Sequence, residues 1–148
     1  MKPGIDHHLM AIAATLATKL IPAIPEGDYA QGDAKMTALL AVMMAQEADR
    51  VADTLIRENA AMRAVFKRAA AFVPGELAGR LAVAAAGQEA SFRISALETN
   101  NAVLKRLLIE LQALVEARAD GWARGLNQDV WALLHQGAND RLLMIPPA

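Results

Sequence analysis

Apolar residues recur along this chain three and four positions apart, the spacing of side chains that share one face of an α-helix. Leu9, Ile12, Leu16 and Leu20 set the first such run and predict a helix over about residues 6–21. Asp6 is placed to cap it, since its carboxylate can accept the orphan amide hydrogens of the first turn. Pro22 and Pro25 end it, and residues 25–32 read as a loop rich in Pro, Gly and Asp. A second helix is expected from Asp33, as N-cap, up to the break at Val73, Pro74 and Gly75. Its seam is Met44, Ala48, Val51, Leu55, Glu58, Met62, Val65, Ala69 and Phe72, an alternation of four and three that matches a heptad. Unbroken, it would be about 40 residues and roughly 60 Å long, one arm of an elongated bundle; otherwise it breaks near Asn59. A short helix from Glu76 to Ala86 stops at Gly87. The fourth helix, about residues 88–118, carries the most regular seam: Ile94, Leu97, Asn101, Leu104, Leu108, Leu111 and Val115, widened by Leu107 and Leu114. Asp120 caps a fifth, about residues 121–136, with Gly137 as its stop. The tail after it is apolar and cannot stay helical past Ile145, because two prolines follow.

The expected fold is therefore all-α: an elongated antiparallel helical bundle of four to five helices, with two long heptad-patterned helices, the second and fourth, as its main antiparallel pair. The 148 residues suit one domain spanning the whole chain. Composition agrees, with 33 Ala and 19 Leu against two Ser and five Thr, an alphabet of helix formers poor in turn residues. The absence of cysteine excludes disulfides, thiolate metal sites and a thiol nucleophile. Fifteen basic against 16 acidic residues, net −1, gives no bulk basic surface for nucleic acid or an anionic membrane. The longest stretch without Asp, Glu, Lys or Arg, residues 7–18, is too short to span a bilayer. It has the look of a signal peptide, but Asp6 before it and Lys19 after it argue for an ordinary amphipathic helix. The cytoplasm is the expected compartment.

Little in the chain carries recognisable chemistry. No Glu stands three residues before any of His7, His8 and His135, so the di-iron carboxylate motif is missing, and no His-Glu-x-x-His is present. His7 and His8, being adjacent, diverge on a helix. His135 could be a general base oriented by Asp140, but a histidine near a helix C-terminus is also what the dipole favours. Ser91 and Ser95 read as capping or surface residues, and Gly121 and Gly125 do not make a phosphate loop. Glu47, Asp49, Arg50 and Asp53 read as a solvated helix face. No metal, cofactor or catalytic residue is expected.

The polar residues inside the seams say more. Asn101 and Glu58 interrupt otherwise apolar stripes, and a buried polar seam residue sets register or partner number at a cost in stability. Trp122 and Trp131, nine residues apart, fall on opposite sides of the last helix, so one core cannot hold both. Trp is a favoured interface anchor. Met36, Met43, Met44 and Met62 read as core filler, with an adaptable binding groove as the alternative. One faint echo relates Asn59–Phe66 to Asn101–Leu108, which periodic alanine-rich helices readily produce.

These features predict a non-catalytic helical interaction module (an adaptor, small chaperone or complex subunit) acting through apolar helix faces. Trp122, Trp131, Leu142, Leu143 and Ile145 are the expected partner-binding residues, with Asn101 and Glu58 setting register. The expected partner is a second copy, as a homodimer, or another helical protein, with no nucleic acid and no membrane. A small apolar-ligand-binding bundle is the alternative, and an enzyme without a recognisable motif comes third.

Overall fold

A computed structural model describes residues 3–144, and every regular element among them is helical. The α-helices are α1 (Ile5–Thr15), α2 (Tyr29–Ala69), α3 (Glu76–Ala86), α4 (Ile94–Glu116) and α5 (Gly121–Asp140). The chain divides into two compact units, the first reaching Val51 and including Leu143 and Met144, the second Ala52–Leu142. The long helix α2 contributes its first half to one and its second half to the other.

In the first unit α1 begins one residue before Asp6, which pairs with its neighbour His7 at 2.8 Å instead of capping. The helix ends sooner than its pattern predicts. The Thr15 and Thr18 hydroxyls donate back to the carbonyls of Ala11 and Ala14, a competing bond that loosens the ladder. A π-helical turn over Leu16–Leu20 and a 3-10 turn over Ile21–Ala23 follow. The long helix starts at Tyr29, not after Asp33, because Asp28 Oδ1 accepts the Ala30 N–H at 2.9 Å. Gly32 is thus a first-turn helix residue, not part of a loop. Here α1 and α2 bury only Ala13, Ala41 and Ala45. An open groove of about 370 Å3 lies between them, lined by Met10, Ala13, Ala17, Leu39 and Val42 among others. Gln46 clasps the backbone of Met144 from both sides, at 2.8 and 2.9 Å.

The second unit is an up-down-up-down four-helix arrangement with a real core. Met62, Phe66, Leu81, Leu97, Leu111 and Val130 are fully buried in it. The turn after α2 relies on Gly75, whose φ of 74° suits a residue without a Cβ. Arg80 of α3 forks onto Glu110 of α4, while Gly87 at the far end of α3 lies by Arg63. Arg68–Asp129 and Arg57–Asp140 pairs run antiparallel along α2 and α5. Sequence neighbours are antiparallel throughout, but α2 and α4 are not each other's antiparallel mates. Asn59 meets Asn101 at one end, and Phe72 stacks on Trp122, just beyond α4, at the other. The two run parallel because α3, short as it is, makes the full return leg.

Two further boundaries shift for physical reasons. Residues 88–93 leave the helical path so that the Glu89 side chain turns inward. Gly137 does not end α5; its bare Cα faces Glu58 and Arg141, and the helix continues to Asp140.

Candidate functional site: a buried polar ladder and the exposed apolar faces

The polar seam residues converge in the second unit. Asn59, fully buried, accepts a hydrogen bond from Asn101 Nδ2 at 2.8 Å and donates to Glu89 Oε1 at 3.1 Å. Asn101 Nδ2 also donates to Glu58 Oε2 at 2.9 Å. Glu89 in turn accepts from Arg63 at 2.6 Å and Asn100 at 2.8 Å. Glu58, its side chain 9% exposed, takes a two-pronged Arg141 at 3.0 and 2.5 Å and Lys105 at 3.1 Å. One continuous network therefore ties α2, the α3–α4 connector, α4 and the end of α5. A charge this deep survives only when paired and hydrogen-bonded.

Electrostatics follow from that pairing. Burial pushes the Glu58 carboxyl up, but the hydrogen bonds from Arg141, Lys105 and Asn101 outweigh it and hold the pKa at about 2. For Glu89 burial acts the same way, and bonds from Arg63, Asn100 and Asn59 again win, leaving its pKa below the ordinary value.

Asn101 and Glu58, the two polar seam residues, thus sit together. Asn59, Arg63 and Glu89 do not stand out in the sequence as site residues. The signal for Asn59 is the echo itself: its two asparagines, 42 residues apart, face one another across parallel helices. Glu89 carries no such signal, because it lies in a stretch with helical pattern.

The remaining candidates are dispersed. Trp122 is partly covered, its ring stacked on Phe72 with centroids 6.2 Å apart and Arg118 5.5 Å above. Trp131 is 51% exposed and lies beside the exposed Leu134 on α5. Leu142 is exposed, Leu143 half-buried, and Ile145 lies outside the described residues. His7, His8 and His135 are exposed, and Asp140 is engaged by Gln136 and Arg57. Of the four helix-2 methionines only Met62 is core; Met36 and Met44 are exposed and Met43 half-buried. An open groove of about 720 Å3 lies between α3 and α4, lined by Leu104 and Leu107 together with Arg63, Arg80 and Arg106. Among the described residues no three His, Asp or Glu side chains converge as a metal would need, and no helix is long and apolar enough to cross a membrane.

No protein family, curated protein or solved structure matches this chain.

Proposed function

We propose that this chain is a non-catalytic helical interaction module of the cytoplasm, an adaptor, small chaperone or complex subunit that works through apolar helix faces. The observation that carries the reading is the composition of the first unit. Its two helices bury three alanines and leave Ile5, Met10, Ile12, Leu20, Met36, Leu40 and Met44 exposed. A helix pair with more large apolar side chains outside than inside is built to be covered, since soluble proteins seldom leave contiguous apolar patches in water. Trp131 with Leu134 supplies a second, smaller face on α5. The buried polar ladder serves as the register-setting device of the scaffold that carries these faces.

The test is recovery of bound protein from the native cell by the full chain and by Ile12→Glu and Trp131→Ala variants. Specific capture lost in either variant, with helicity retained, supports the reading. Capture indifferent to both substitutions contradicts it. A second reading, binding of a small apolar ligand, draws on the α3–α4 groove with its Val83, Val103, Leu104 and Leu107 lining. Mass spectrometry of the purified protein for copurified lipid, against a Leu104→Lys variant, tests that reading.

A further inference from the structure

We infer that the first unit's apolar surface is the seat of a second copy of this chain, with the α2 helices of the two copies crossing antiparallel at Leu40. The inference rests on the interaction reading above and names its partner. Residues 7–18 and 36–46 contain no Asp, Glu, Lys or Arg. The hydroxyls in those stretches are spent on their own helices: Thr15 on Ala11 O, Thr18 on Ala14 O and Thr37 on Asp33 O. Past His8, from Leu9 to Thr18, about 15 Å of helix, α1 and the π-helical turn after it therefore have no strongly polar side to give to water. A helix apolar all round is a buried helix. The band is too short for a bilayer of about 30 Å, and it lacks the charged face that a helix lying in a membrane interface requires. That leaves protein as the cover.

The pattern on α2 selects which protein. Ala41 and Ala45 point into the pair and are buried, whereas Met36, Leu40 and Met44 are 57, 50 and 58% exposed. These three repeat at four residues, and the middle of their stripe lies about 120° around the helix from the middle of the buried alanine pair. Reversed end to end, the stripe reads the same: Met, Leu, Met. A two-fold axis at Leu40 sets Leu40 on Leu40 and each Met36 on the other copy's Met44, the isologous pairing that closed dimers use. Ridges spaced at i±4 pack into their like at about −50°. That crossing carries Asp33 and Glu47, which close the stripe at its two ends, away from each other into the rim. Half-exposed Met, Leu and Ile side chains leave on the order of 100 Å2 each in water; with Met10 left out, because it lines the groove with Leu39 and Val42 away from the stripe, the other six exposed on this unit offer at most roughly 600 Å2 per copy, against about 800 Å2 per partner in a standard interface.

The native chain has no cysteine, which makes the test clean. Leu40→Cys under mild oxidation should give a covalent dimer in high yield, since facing positions of helices 8–10 Å apart bring Cα atoms within disulfide reach. Val83→Cys, at a position still more exposed (77 against 50%) but in the second unit, should stay monomeric on the same gel. Light scattering of the wild type at micromolar concentration should give twice 15.8 kDa. Leu40→Glu, with helicity unchanged by circular dichroism, should raise the dimer Kd by at least about 100-fold, because it buries unpaired charge at the axis. If Leu40→Glu does not fold, the cross-link formed by Leu40→Cys decides alone. A wild type that stays at 15.8 kDa at all concentrations overturns the inference, as does a dimer that neither cross-links at position 40 nor responds to Leu40→Glu. A monomer that still captures another protein, lost in Leu40→Glu, overturns the second-copy partner but leaves the interaction reading standing. A monomer whose behaviour ignores Leu40→Glu defeats both.

Discussion

Glu58 takes two cations, Lys105 and Arg141, together with the Asn101 amide, whereas Glu89 takes one cation and two amides. The Glu58 pKa of about 2 lies below the ordinary 4.5, so the stability it contributes is complete above about pH 4.5 and drains away as pH falls toward 2. Arg141 and Lys105 are about two-fifths exposed, which screens the pairing and leaves a contribution on the order of 1–2 kcal/mol. Urea unfolding between pH 6 and 3 should therefore show falling stability in the wild type and a shallower fall in Glu58→Gln. Equal slopes would contradict the assignment. The asparagine pair makes a second prediction. Asn101→Ala strips Asn59 Oδ1 of its donor inside the core and should cost about 1–3 kcal/mol. A double-mutant cycle with Asn59→Ala should show coupling of about 0.5–3 kcal/mol; additive losses would mean the two residues act separately.

At the scale of elements, helix existence was legible and helix ends were not. The apolar period placed all five helices, and α3 matched its predicted bounds because Gly75 and Gly87 bracket it. Ends slipped where a side chain found a partner that periodicity does not encode: Asp28 starting α2, Glu89 pulled inward before α4, and Arg141 drawn to Glu58 past Gly137. The heptad seam of α2 held from Leu55 to Ala69 and failed before it. In the first half the helix has a different neighbour, α1, and turns Ala41 and Ala45 toward it instead of Met44. Asn101 and Glu58 were legible as site residues because they broke a pattern; Arg63 and Glu89 broke none. The glycines yield an element-scale prediction. A Cβ at Gly79 or Gly125 meets nothing within 4 Å, so replacing either by Ala should stabilise its helix by about 0.5–1 kcal/mol. Gly75→Ala should destabilise by about 1 kcal/mol or more, since its φ is 74°. Thermal melts of the three variants separate these outcomes, and a stabilised Gly75→Ala would contradict the turn geometry.

For the molecule as a whole, the contrast between its units is the central fact. Residues 52–142 hold nearly every large buried side chain, while the first unit is an apolar helix pair with three buried alanines. Association would account for that asymmetry: residues 52–142 enclose a core of their own, and the apolar faces of the first unit are those the proposed second copy would cover. Amide hydrogen exchange, followed residue by residue as protein concentration rises, tests this most directly. Pairing should bring amides of α1 and of residues 29–51 added protection as concentration rises, while those of α4 and α5 stay constant. Exchange in α1 that is already as slow as in α4 in dilute solution, and unchanged by concentration, would contradict it.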